Sequence, residues 1–88
     1  MATSVYRLAQ RAIADLKQIS EYLGQRSPSA ADRVIDELFR SFDRLAINPE
    51  MGMSLDQLRA ELRMLVPSKP AANYLVFYYV LHFRKKRR

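Results

Sequence analysis

Few residues in this sequence have the types and spacing that chemistry demands. The single histidine is His82 and cysteine is absent, so no thiol nucleophile, Cys-ligated metal or multi-histidine centre can be assembled. No metal and no other cofactor is expected. A Ser/His/Asp set can be named from Ser68, His82 and a distant aspartate, but nothing beside any serine marks it as an activated nucleophile. Carboxylates are paired at Asp32/Asp36 and Asp36/Glu37, next to Arg33 and Arg40, and read as the charged solvent face of a helix. Arg59 and Arg63 lie four apart and could offer cations to a phosphate through charge alone. Equally, they could be solvated or paired with Asp56 and Glu61. Tyr74, Tyr78 and Tyr79 could stack on bases, although packing beneath a helix is the stronger reading for Tyr74 and Tyr78.

The charge is unevenly placed. The 88 residues carry 15 Lys+Arg against 9 Asp+Glu, a formal +6, but five of the basic residues are Arg84, Lys85, Lys86, Arg87 and Arg88. Residues 1–83 are thus nearly neutral, and the terminal run admits nucleic-acid contact, attraction to an acidic protein, or a solubilising end. An apolar content of 49% is too high for disorder, while the longest uncharged apolar stretch, Ala71 to Phe83, is too short to span a bilayer. Met1 to Leu8 has no apolar signal-peptide core. These features predict one domain over residues 1–83 with a basic tail at 84–88, in the cytoplasm and off the membrane. At this size roughly 60–65% of the unfolded surface is buried, so stability is modest and a partner covering apolar surface would help.

The elements follow from period and punctuation. Ser4 to Leu8 alternates as a short strand. Ala9, Ala12, Ile13, Leu16, Ile19, Tyr22 and Leu23 then recur at helical steps, with Gly24 as the stop. Ser27-Pro28 opens a second helix, Ser29 being an alternative cap. Its stripe, Ala30, Ala31, Val34, Ile35, Leu38, Phe39, Phe42 and Leu45, ends at Asn48-Pro49. The short link between the helices makes them an antiparallel hairpin. Glu50 to Gln57 reads as a loop. Leu58 to Val66 is ambiguous, with a strand from about Leu62 to Val66 supported by the Pro67-Ser68-Lys69-Pro70 turn. Tyr74 to Val80 is the clearest strand, with Tyr74, Val76, Tyr78 and Val80 on one face and Phe77 and Tyr79 on the other.

Several local strings, in this order, resemble the ParE branch of the RelE/ParE toxin superfamily. Tyr6-Arg7-Leu8 with Ala12, Ala14-Asp15-Leu16, Ile19 and Tyr22 is similar to the family's opening pattern. Ala30-Ala31, Leu38, Leu45, Asn48-Pro49 and Met51-Gly52 resemble its second helix and the P-x-x-G that ends it. Leu58-Arg59-Ala60, Leu62-Arg63 and Tyr74-Leu75-Val76-Phe77-Tyr78 resemble its later strands. The likeness covers about residues 5–80. Relatives continue through a turn into a further strand, whereas Tyr78-Tyr79-Val80 here runs directly into Leu81-His82-Phe83-Arg84.

The resemblance implies an α+β fold: an N-terminal strand, a two-helix antiparallel hairpin, and a small twisted antiparallel sheet of three or four strands, the last short or missing. It implies the toxin of a type II toxin–antitoxin pair of the plasmid-stabilising kind, inhibiting DNA gyrase without catalysis and neutralised by a cognate antitoxin, alone or in a homo- or hetero-oligomer. The alternatives are a RelE-like ribosome-dependent mRNA endoribonuclease, or a truncated remnant that binds antitoxin without being toxic. RelE-type nucleases resemble one another in an arginine after the aromatic residue that begins the third strand, where this sequence has Leu75. Arg59, Arg63, Phe77, Tyr79, Arg84 and Lys85 are assigned to partner binding. A RelE-like activity would instead fall to Arg59, Arg63, Arg84 and Tyr79.

Overall fold

The computed structural model describes residues 6–80, in which a helical hairpin precedes an antiparallel sheet. The elements are α1 (Gln10–Gly24), α2 (Pro28–Ile47), a 3₁₀ turn (Pro49–Met51), β1 (Met53–Ser54), β2 (Leu62–Leu65) and β3 (Val76–Tyr79). The three strands lie in the order β1-β2-β3, both pairs antiparallel, which is the α+β architecture expected. Of the anticipated N-terminal strand, Ser4 and Val5 lie outside the described residues, and Tyr6 to Leu8 have no regular structure. Leu81 to Arg88, with the basic tail, also fall outside them.

Local chemistry explains the helix boundaries. Ser27 is the cap of α2: its Oγ accepts from the Ala30 N–H at 3.3 Å, and Pro28 occupies the first turn, where a missing N–H costs nothing. α2 ends because Asn48 precedes Pro49 and is driven out of the helical region, to φ −132° and ψ 80°. α1 stops at Gly24 as the sequence predicts, but not through a left-handed glycine, since Gln25 is still right-handed at φ −65°. The Leu23 carbonyl closes the end by accepting from both Arg26 and Ser27 N–H groups.

α2 is the central layer. Val34 and Leu38 are buried with Ala71, and Leu16, Ile19 and Leu23 of α1 pack against this cluster together with Tyr74 and Val76 from the sheet side. The β2–β3 connection thus supplies core: Ala71 is fully buried, held by its N–H to Ser68 O at 2.8 Å after the cis Lys69–Pro70 bond. α1, by contrast, has no buried residue, and Ile13 and Tyr22 of its apolar stripe face outward.

Two segments differ from the sequence expectation. The 50–57 stretch, read as a loop, contains β1, where Met53 pairs with Met64 and Ser54 with Arg63. Two residues are too few to show a period, so pairing with β2 creates this strand. Glu37, expected on a solvated face with Asp32 and Asp36, is 7% exposed. Its Oε1 accepts from Arg40 Nη1 and its Oε2 from Arg44 Nη2, each at 3.1 Å. Arg44 Nη2 also donates to Ser41 Oγ, which donates in turn to the Glu37 carbonyl. A carboxylate bridged by two guanidinium groups can be sheltered where a lone one cannot. Asp32 and Asp36 are exposed, as anticipated.

The sheet is tied to the end of α2 by one cross-strand pair. Arg63 and Tyr78 are register partners in β2 and β3, and both side chains reach the 49–52 turn. The Tyr78 hydroxyl donates to Pro49 O at 2.6 Å and accepts from Gly52 N–H at 2.9 Å. Arg63 Nη1 donates to Gly52 O at 2.6 Å and, more weakly, to Glu50 O at 3.4 Å. The approach is so close that a Cβ on Gly52 would sit 2.5 Å from Tyr78 Oη and 2.7 Å from Met64 O. Gly52, at φ −80°, is demanded by space and not by backbone conformation.

Gly52→Ala should therefore lower unfolding free energy by about 1–3 kcal/mol through overpacking. Tyr78→Phe, which strands the Gly52 N–H and the Pro49 carbonyl, should cost roughly 1–3 kcal/mol. Both are read as a lower urea midpoint at unchanged slope, and a midpoint equal to wild type would contradict the packing described. The Arg44 hydrogen bond, joined by Arg40 and opposed by desolvation, holds the Glu37 carboxyl below its ordinary range. Its stabilising contribution is then complete above the ordinary glutamate pKa and disappears as pH falls through the lowered value. Thermal melts should show Glu37→Gln less stable than wild type at neutral pH, with the gap narrowing in acid. A gap independent of pH would show that ionisation plays no part.

Candidate partner-binding face

Because strand side chains alternate, the inward turn of Arg63, Leu65, Val76 and Tyr78 forces their neighbours outward. The outer face carries Met53, Met64 and Phe77 in one cross-strand row, with Leu62 and Tyr79 in the next. Met53 and Phe77 are each 57% exposed and Tyr79 is 51% exposed. Leu62 and Met64 are half-buried, and Val66 and Leu75, just beyond the strand ends, are exposed. None of these side chains is charged. A contiguous apolar surface of this kind marks an interaction site more often than chance exposure does.

The sequence-assigned residues separate in space. Phe77 and Tyr79 come together on this face, as their shared parity predicts. Arg59 lies in the β1–β2 connection and is exposed. That connection is shaped by Leu58 and Arg59 N–H groups on Leu55 O, by Asp56 Oδ1 accepting from Glu61 N–H at 2.9 Å, and by Glu61 in the left-handed region at φ 65°. Arg63 points to the opposite side of the sheet, its Nη1 engaged with Gly52 O, so it does not join Phe77 and Tyr79. Its side chain donates to the backbone carbonyls of Glu50 and Gly52. Arg84 and Lys85 fall outside the described residues, as does His82.

Sequence reasoning missed Met53, Leu62 and Met64 as members of the face. Leu62 and Met64 alternate with Arg63 and Leu65, a signal that the β2 register makes decisive, whereas Met53 had none. Among the described residues there is no group of three His, Cys, Asp or Glu side chains placed to hold a metal ion. No helix among them is long and apolar enough to cross a membrane.

A second apolar area flanks the hairpin. Tyr6 packs edge-on against Phe42 at 5.9 Å between ring centroids, and Phe42 against Phe39 at 5.3 Å. Desolvation, with the Asp43 charge, raises the Tyr6 phenol above its ordinary range. Just beyond α1 the Arg26 guanidinium lies 5.0 Å from the ring centroid of Tyr22, beside a shallow groove that reaches Tyr74.

Residues 6–86 match the family described as the ParE toxin of the type II toxin–antitoxin system, parDE. The chain is 44% identical over 70 residues to Toxin RelE2 of Caulobacter vibrioides, spanning 80% of this chain and 73% of that protein. It is 36% identical over 73 residues to Toxin RelE3 of the same organism, spanning 83% and 76% respectively. The chain belongs to the ParE toxin family of type II toxin–antitoxin systems, within the RelE/ParE superfamily.

Proposed function

We propose that this chain is a non-enzymatic, cytoplasmic toxin that acts by binding DNA gyrase, and that its cognate antitoxin neutralises it by covering the outer face of the sheet. The observation that carries this reading is the division of the sheet, with Met53, Leu62, Met64, Phe77 and Tyr79 outside and the Arg63 guanidinium inside. Methionine and aromatic side chains with no charge among them have the composition of a protein–protein interface core. Cleavage of RNA without a metal would need cations at the phosphate and a positioned acid or base. Arg63 is turned away from that face and held by the 50–52 carbonyls. Arg59, Phe77 and Tyr79, with Arg84 and Lys85, are the proposed contact residues, and Arg63 holds the sheet that carries Phe77 and Tyr79.

A second reading has support in the relatives' names, RelE2 and RelE3. It makes the chain a ribosome-dependent endoribonuclease using Arg59, Arg63, Arg84 and Tyr79. The two are separated by assaying one preparation against gyrase and against mRNA in a translating extract. Gyrase poisoning is expected to stall supercoiling, leave gyrase-dependent DNA breaks and be relieved by antitoxin. Unaffected gyrase together with mRNA cleavage lost in Arg59→Ala, a variant that leaves the Tyr78–Gly52 contact intact, would establish the nuclease instead. Phe77→Ala and Tyr79→Ala should each weaken antitoxin binding by roughly 30-fold, the usual scale of about 2 kcal/mol for an aromatic anchor, without lowering the urea midpoint. Unchanged affinity in both would remove the sheet face as the antitoxin's seat.

A further inference from the structure

The outer face has an unusual concentration of thioether sulfur. Met53 of β1 stands opposite Met64 of β2, which stands opposite Phe77 of β3, so two methionines and an aromatic ring form one row across the whole described sheet. Directly opposed side chains in a sheet are about 4.5–5.5 Å apart at Cβ, close enough for the row to act as one surface. Met53, at 57% exposure, is open to solutes, while Met64 is half-buried beside it. Met51 is also exposed, at 42%, but it belongs to the 3₁₀ turn and not to a strand.

We infer that Met53 is an oxidation site that sets the affinity of the outer face for its protein partner, with hydrogen peroxide as the oxidant. The inference rests on the reading that the antitoxin docks on this face. The Met53 sulfur lone pair attacks one peroxide oxygen, the O–O bond breaks, a sulfur–oxygen bond forms, and the departing hydroxide takes the remaining proton as water. Sulfur loses two electrons and peroxide gains them. An apolar, flexible side chain becomes a polar sulfoxide with a strong acceptor oxygen. Seated against an apolar partner, that oxygen loses its water without gaining a donor, and the desolvation opposes binding. The partner in turn shields the sulfur, so only free toxin is modified, and modified toxin rebinds poorly. The sulfoxide is reducible by methionine sulfoxide reductases, which makes the change a reversible setting.

The test treats the free chain with hydrogen peroxide, removes the excess with catalase, and measures affinity for unoxidised antitoxin, with peptide mapping of each methionine. Met53 should oxidise ahead of Met64, affinity should fall at least tenfold, and a methionine sulfoxide reductase should restore it. The decisive quantity is the ratio of affinities before and after peroxide, whatever each variant's starting value. Met53→Leu should bring that ratio close to one, and Met51→Leu should leave it as in wild type. Oxidised wild type that binds as tightly as reduced, an undiminished ratio in Met53→Leu, or a loss that reductase does not reverse would each overturn the inference. Mapping the preformed complex separates this failure from that of the docking reading. Met53 protected by antitoxin, with no effect of its oxidation on affinity, sinks the redox inference alone. Met53 oxidised equally in the complex and the free chain sinks both.

Discussion

The phenol of Tyr78 joins the two halves of the molecule. Its hydroxyl satisfies a carbonyl and an N–H of the turn that follows α2, at a helix end where such groups would otherwise lack partners. Arg63, the register partner of Tyr78, grips the same turn from the next strand, so two side chains and one small residue decide how the sheet meets the helices. The geometry leaves no room for a Cβ at Gly52. Everything on the outer face follows from this contact. Once Tyr78 and Arg63 are committed inward, the period of two places Phe77, Tyr79, Leu62 and Met64 outward, and a slip of one residue would exchange the faces.

Outside the Asp56–Glu61 contact of the β1–β2 connection, much of the polar chemistry in the described residues is internal or helical. Glu37, Arg40, Arg44 and Ser41 form a linked set along α2, and Arg63 is spent on backbone carbonyls. The sheet's open side is left to methionine, leucine and aromatic carbon.

What could be read from the sequence was what depends on neighbours along the chain. Ser27-Pro28 and Asn48-Pro49 bound α2 through local sterics and capping, and the parity of Tyr74 to Val80 separated Val76 and Tyr78 from Phe77 and Tyr79. The ordered strings between residues 5 and 80 also carried the family, which the match over residues 6–86 bears out. What escaped depends on partners far away in sequence. Met53–Ser54 is a strand only because Arg63–Met64 lies beside it. The role of Arg63 requires carbonyls eleven or more residues earlier. Glu37 is sheltered because a second arginine arrives at i+7, a relation that an inspection of adjacent carboxylates does not reveal. Ala71, in a segment that reads as a connector, fills the core because the turn after Pro67 directs it there.

The outward position of α1 has a thermodynamic consequence of its own. With no buried residue and no side-chain cap at Ala9, α1 is attached through the partly buried Leu16, Ile19 and Leu23, while the buried centre is made by Val34 and Leu38 of α2 and Ala71 of the β2–β3 connection. Such an element opens at a fraction of the free energy that unfolds the whole domain. Amide exchange along Gln10–Gly24 would then report a local equilibrium separate from that of α2, which carries the buried residues. A protein that lies across α1 would hold that helix in place, and its measured affinity would contain the free energy of doing so.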